Sequence, residues 1–477
     1  MFPPRILASA TLLLFAVSSL VVVPAHAVIY TYSCVLNPRQ ETPPVAAGPL
    51  GGGRFIIDTD ANTVTYRIAY SGLTSAENGA HIHGFASPGV PGGVLVGLPA
   101  GNPKVGVWNY LESQEASILA GLTYANIHTA NNGGGEMRGQ IVPLNALIDA
   151  AQETPPTASA GTGWATATVD IALNTISYYI FYEGLTGAVT ISHFHGNALH
   201  GLSAGPKVSL AVSASPMIGT VTYAQADEEA LLTGRFYVNL HTVANGGGEI
   251  RGQLVPLLIP IDAGQEVLPP VTEATAAGFG LLAIDTLANS LSYDVRVAGL
   301  SSTETGAHIH GYAATTGNAG VLQTLPAGVQ KLGTWAYGAA DEANVLAGLT
   351  YFNVHSINNP GGEMRGQIEG LPQPLSVLAV GSGGPRTLSG LAAVPNPFNG
   401  STLLSFQLAR VGTVSLSIVG LDGRAVHKLP GAMYTPGVHT LEWDGRDDDG
   451  RIAAPGVYFA IVRTPDGEKV TRLARLR

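Results

Sequence analysis

Polar and apolar residues alternate with a period of two in three stretches: NTVTYRIAYSGL from Asn62, NTISYYIFYEGL from Asn174 and NSLSYDVRVAGL from Asn289. Alternation of this kind, rich in β-branched and aromatic residues, predicts strands with one face buried. Each stretch follows an Asp/Asn-containing turn signal and ends in Gly-Leu. Helical patterning is confined to SQEASILAGL, ADEEALLTG and DEANVLAGL, each long enough for one or two turns ahead of a later strand. The expected fold is all-β, built of antiparallel sandwiches or barrels of short strands.

The likeness between the stretches extends along the chain. QETPP begins at Gln40 and again at Gln152, and QEVLPP begins at Gln265, spacings of 112 and 113 residues. Each unit closes on a related block: YANIHTANNGGGEMRGQIVP, YVNLHTVANGGGEIRGQLVP and YFNVHSINNPGGEMRGQIEG. A period this long marks a whole domain in tandem, not a solenoid unit. The expected domains are residues 28–145, 146–260 and 261–371, set in a row. A Pro/Gly/Ser-rich linker follows over 372–391. Beyond it, 392–477 carries STLLSFQL, TVSLSIVG, VHTLEWDG and GVYFAIVRT, whose size and spacing fit a small immunoglobulin-like sandwich.

The first residues have a different pattern. Arg5, the apolar run ILASATLLLFAVSSLVVV and the small-residue site Ala25-His26-Ala27 form a signal peptide over 1–27. The competing reading is an uncleaved anchor, since about 18 apolar residues nearly span a bilayer. Cleavage after Ala27 gives a mature chain that begins at Val28, lies outside the cell or on its surface, and has no transmembrane segment. Cys34 is the lone cysteine, so no intrachain disulfide forms, and a buried thiol is expected. Stability must then come from packed cores or metals.

Composition removes other classes. Charged residues make up 12% of the chain and the net charge is −10, with no basic stripe for a phosphate backbone, so nucleic acid is not a partner. The glycine-rich GGGR and NNGGGEMRG segments lack the lysine and following helix of a phosphate loop. DDDG at Asp447–Gly450 lacks the wider spacing of a calcium loop and reads as a hairpin turn beside Trp443.

A glycine-rich opening, AHIHG, N-x-H-[TS] and GGE[MI]RGQ together resemble the chordin-type (CHRD) domain over all three repeats, from Val28 to Leu371. That resemblance implies an extracellular module and no particular activity; the expected role is a scaffold that binds an extracellular protein or surface component, or forms part of the surface matrix. The tail, with VPNPFNGSTLLSFQL, DGRAV and WDGRDDDGRIAAPGVYF, is similar to C-terminal sorting domains of the type IX secretion pathway and to the Ig-like domain of flagellar hook-capping proteins. This second resemblance implies that the secretion machinery is a partner.

The histidines carry the candidate chemistry. Residues two apart on a strand share a face, so His81 pairs with His83, His193 with His195 and His308 with His310. A later strand adds His128, His241 and His355, each at the end of a Tyr-x-Asn-x-His ladder. Three neutral imidazoles hold zinc or copper and leave a position open. The competing reading is a polar ladder in which residues such as Asn126 and Thr129 bond the rings and tie two strands together. Glu136, Glu249 and Glu363 offer a carboxylate, but Arg138, Arg251 and Arg365 follow two residues later, and same-face Glu–Arg pairs are expected instead. Copper-zinc superoxide dismutase also draws copper ligands from a His-x-His strand plus a later strand. Its zinc loop and disulfide have no counterpart here, so redox chemistry is an analogy. The second repeat departs most, with ISHFHGNALHG and an added His200 in place of GAHIHGFASPG.

Overall fold

The computed structural model describes residues 29–46, 48–171, 173–267, 275–370 and, with short gaps, 388–476. The signal segment and most of the expected linker lie outside the described residues. In repeat one the elements are β1 (Ile29–Leu36), β2 (Leu50–Asp58), β3 (Thr63–Ser71), β4 (Glu77–Gly84), β5 (Gly93–Gly97), β6 (Lys104–Asn109), α1 (Glu115–Leu119), β7 (Thr123–Thr129) and β8 (Met137–Ile141). They form two antiparallel sheets, ordered β1-β2-β3-β6 and β5-β4-β7-β8. The all-β expectation holds, and the single helical turn falls where SQEASILAGL placed it.

Alternation produces the core. Along β3, Val64, Tyr66 and Ile68 are buried while Thr65 is exposed. They and Phe55 and Ile57 of β2 meet Ile82 of β4, Ala125 and Ile127 of β7 and Met137 of β8. Cys34 lies fully buried in the same core, and burial pushes its thiol pKa up. The β2–β3 turn is closed by Asp58, whose carboxylate accepts from the amides of Asp60 and Ala61 at 2.9 Å. Asn62 then takes φ 55°, a left-handed value that asparagine tolerates, and Asn174 and Asn289 repeat it at 51° and 47°.

Repeats two and three copy this plan, but their two sheets join into one eight-stranded sheet. Each junction is one residue pair, Asp149–Arg251 or Asp262–Arg365; in repeat one the matching bridge, Asn37–Arg138, lies just beyond the end of β1. The expected boundaries at 145/146 and 260/261 fall inside strands Leu144–Asp149 and Leu257–Asp262, so the first strands of repeats two and three begin before them.

The repeats are not beads in a row. The β3 strand of repeat one reaches the first strand of repeat three through Arg67, whose Nε donates to Asp262 at 2.8 Å. Repeat three reaches the first strand of repeat two through Arg296 and Asp149 at 2.5 Å. Repeat two returns to repeat one through Glu183 and Arg39 at 2.9 Å. The three contacts run in one sense and close a ring. An apolar cluster between the repeats, including Val35, Leu199, Leu258, Phe279 and Leu281, gives the ring its own core.

The tail forms a three-stranded and a four-stranded antiparallel sheet around Trp443, Leu404, Phe406, Ile418 and Val462. Its first strand, Leu388–Val394, begins inside the expected linker. Residues 447–450 form the expected turn: Asp447 accepts from the amides of Asp449 at 3.0 Å and Arg451 at 2.8 Å.

Candidate metal centre

β4 and β7 pair antiparallel, with His83 opposite Tyr124, His81 opposite Asn126 and Gly79 opposite His128. Ala80, Ile82, Ala125 and Ile127 point into the core, so the alternating residues put all three histidines on the other face. Gly79 carries no side chain beside the rings, and a Cβ there would stand 3.4 Å from His81 Cε1. The ring centroids of His81, His83 and His128 lie 5.0–5.9 Å apart. One ligand nitrogen from each ring lies within 4.8 Å of the other two.

The same convergence occurs for His193, His195 and His241, with centroids 5.3–5.9 Å apart, and for His308, His310 and His355, at 5.1–5.8 Å. All nine sequence-selected histidines are thus brought together in threes. In repeat two Ile191 takes the glycine's place opposite His241, and it is half exposed.

Hydrogen bonds orient the rings. His83 Nδ1 lies 3.0 Å from the Gly92 carbonyl and His128 Nδ1 lies 3.1 Å from that of Gly133. A carbonyl only accepts, so each Nδ1 carries the proton and each Nε2 presents a lone pair. Both Nε2 atoms, and His81 Nδ1, are buried without a hydrogen-bond partner. His195, His241, His310 and His355 make the corresponding Nδ1 contacts to Ala204, Gly246, Ala319 and Pro360 at 2.8–3.1 Å, and leave Nε2 unpartnered. Burial and then the neighbouring rings hold His81, His193 and His308 below the usual imidazole range, which keeps them neutral at pH 7.

The partners expected for a polar ladder are engaged elsewhere. Asn126 bonds Glu41 and Thr129 bonds Glu136; the observed hydrogen bonds of His83 and His128 run to main-chain carbonyls. The Glu–Arg pairs are corrected. Glu136 stands before the first residue of β8, where strand alternation does not apply, and its carboxylate accepts from Thr74 N at 2.7 Å and Thr129 Oγ1 at 2.6 Å. Its counterpart Glu249 is held by Ser159, Thr186 and Thr242; burial alone would raise its pKa, but these bonds bring it down to about 2. Glu363 accepts from Ser301 N at 2.6 Å. None of the three carboxylates joins a histidine triplet.

Arg138 instead backs the site. Its guanidinium lies 3.5 Å over the Tyr124 ring, and Tyr124 stacks on His83 with centroids 5.0 Å apart. Its donors go to the Val90 and Ser87 carbonyls at 2.9 and 3.2 Å. Arg251 on Tyr237 and Arg365 on Tyr351 repeat the arrangement at 3.5 and 3.6 Å. The tyrosine ladder was visible in the sequence; its stacking role was not, because the partner arginine comes from the following strand.

A family model described as the CHRD domain matches residues 32–141, 144–254 and 259–368. Chordin of Xenopus laevis is 30% identical over 167 residues, which is 30% of this chain and 17% of chordin. Chordin of Danio rerio is 30% identical over 29% of this chain and 17% of its own length. The basal-body rod modification protein FlgD of Salmonella typhimurium is 27% identical over 25% of this chain and 53% of FlgD. The chain therefore spans between about a sixth and about a half of these relatives. Among solved structures, dimeric latent PorU of Porphyromonas gingivalis aligns at 11% identity over 64% of this chain and 32% of its own, with a TM-score of 0.18. PorZ of the same organism aligns at 10% over 89% and 69%, also with a TM-score of 0.18. Scores this low carry no argument about this fold. Three tandem matches that together span well over half of the sequence decide the family: the chain belongs to the CHRD domain family.

Proposed function

We propose that this chain is an exported binding protein in which each CHRD repeat holds one zinc or copper ion on its histidine triplet. One observation carries the reading. In each repeat, Nδ1 of two histidines faces a main-chain carbonyl, and their Nε2 atoms are buried with no partner. A buried lone pair left unmatched is costly, and a bound cation removes that cost. The Nδ1–H to carbonyl contact is the outer support that metal-ligating histidines normally have. A soft-to-borderline nitrogen donor set suits zinc or copper rather than calcium or magnesium.

Metal analysis of the purified mature chain tests the reading. About three equivalents of zinc or copper per chain are expected after loading and gel filtration, by three-ligand stoichiometry. Background levels of both would refute it and leave a purely protein-binding or structural role. Superoxide consumption by copper-loaded chain would add the redox alternative; its absence keeps the protein a binder.

Export is the second part of the proposal. The signal-like residues 1–27 and the separate C-terminal sandwich support delivery outside the cell, with the tail addressed to the secretion machinery. Deleting residues 388–477 is expected to trap folded repeats in the periplasm. Unchanged export of that truncation would remove the sorting role.

A further inference from the structure

The repeats meet along matching positions, yet the seams differ. Between repeats three and one lies a cavity of about 390 Å³. Arg54 and Arg67 line it from repeat one, and Glu266, Thr315, Arg365 and Glu369 from repeat three. At the matching place between repeats two and three the space shrinks to about 10 Å³. There Leu281 stands where Arg54 does, Asp294 where Arg67 does, His200 where Thr315 does and Val255 where Glu369 does. Between repeats one and two the positions of Arg54 and Arg67 hold Thr166 and Tyr179, and Trp164 stacks on Tyr179 with centroids 5.1 Å apart.

The open seam is also the cationic one. Arg67 is matched by the bidentate Asp262. Arg365 bonds only neutral acceptors: the Gly317 and Ala314 carbonyls and the amide oxygens of Asn318 and Gln367. Among the described residues Arg54 has one contact of 3.3 Å, to the half-exposed carboxylate of Glu369, and its Nε is buried with no partner. Glu266 offsets little, because burial pushes its carboxyl up to about 7. A guanidinium edge without an acceptor, in a pocket of small-molecule size, calls for an anion that supplies one.

We propose that the seam between repeats three and one binds a small oxyanion-bearing solute, whose carboxylate or sulfate group docks on Arg54. Its sister seams have neither the arginine nor comparable space. The site is independent of the histidine centres: it needs the ring to be closed and needs no metal.

Calorimetric titration of the full mature chain with citrate and with inorganic sulfate at low ionic strength tests this. Saturable binding of either supports the site; tighter citrate assigns an organic carboxylate, and tighter sulfate a tetrahedral oxyanion. Arg54→Leu installs the residue that the packed sister seam already carries, and it is expected to weaken binding about tenfold or more. Glu369→Gln removes the competing carboxylate and is expected to tighten binding about threefold. It also carries the test should the leucine variant fail to fold. No saturable heat with either probe, or binding unchanged in both variants, overturns the proposal.

Discussion

The histidine centres and the seams between repeats are built from the same duplicated sequence but behave differently. The three centres are near-copies, down to the Nδ1 contacts and the Arg–Tyr–His stack. The three seams share positions but not residues: an arginine-lined cavity, a leucine-filled contact and a tryptophan–tyrosine stack. A centre is completed within one repeat, so duplication reproduces it whole. A seam is shared by two repeats, and closing a ring gave each copy different neighbours to fit. The difference separates what one repeat can do alone from what only the closed set can do.

The seams are the place to break that contrast with the largest effect. Phe279 of repeat three is fully buried, and Gly52 of repeat one makes room for it: a Cβ on Gly52 would come within 2.8 Å of the Phe279 side chain and 2.7 Å of Leu258. Phe279→Ala is expected to cost about 3–5 kcal/mol in denaturant unfolding, as for a core phenylalanine. A loss below about 1 kcal/mol would mean that the repeats stand independently and the ring contributes little. The centres should bind metal in either case.

The next effect is on a single centre. His83→Ala removes a ligand and its stack on Tyr124, and repeat one is expected to lose metal affinity by about 100-fold or more, by analogy with ligand and outer-shell losses elsewhere. Repeats two and three should keep two equivalents between them, with the far-ultraviolet spectrum unchanged. A variant chain that still holds three ions at wild-type affinity sinks the triplet assignment. A chain that loses all three would instead show that the centres are coupled through the ring.

Much of the centres was legible in the sequence, and little of the seams was. The His-x-His and Tyr-x-Asn-x-His spacings place side chains by strand geometry alone, which does not depend on tertiary context. The carbonyls of Gly92 and Gly133 that orient the rings left no trace, because a main-chain acceptor has no side-chain signature. Glu136 misled for a related reason: the strand began one residue after it, so the same-face argument with Arg138 did not apply. The seams depend on contacts such as Arg67 with Asp262, 195 residues apart. No local pattern marks such a pair. Glu41, Glu153 and Glu266 were visible only as part of the QETPP-type repeat marker, yet each is pushed by burial up to about 7.

Those glutamates sharpen the comparison with a smaller effect that should be equal in all repeats. Glu41 Oε1 and Asn126 Oδ1 are buried, unpartnered, and pressed against Gly135, where a Cβ would lie 2.6 Å from each. Glu153 with Asn239 and Glu266 with Asn353 repeat this. The folded carboxyls hold their proton up to about pH 7, whereas unfolded ones release it near the ordinary glutamate value. Their contribution to stability is therefore full at low pH and is lost as pH rises toward 7, by an amount of order 1 kcal/mol each. Glu41→Gln is expected to gain that amount on the wild type at pH 8 and to match it near pH 5. Equal stabilities at both pH values would show that Glu41 titrates normally.

The smallest effect concerns the one centre that differs. In repeat two, Ile191 lies opposite His241, where repeats one and three have Gly79 and Gly306. The β-branched side chain adds apolar bulk beside the rings and deepens the burial of His241, which is 6% exposed where its counterparts are only half-buried. Extra cover over the ring narrows the approach of an entering metal, so the middle centre should load more slowly than its neighbours. Ile191→Gly restores the glycine and should bring the loading rate of repeat two up to theirs, by a few-fold, with affinity moved by less than about 1 kcal/mol, a surface-scale change. The measurement is metal uptake followed in a chain whose other two centres are disabled by His83→Ala and His310→Ala. A wild-type middle centre that already loads as fast as repeat one would show that the isoleucine is neutral and that all three centres are equivalent in rate as well as in ligand set.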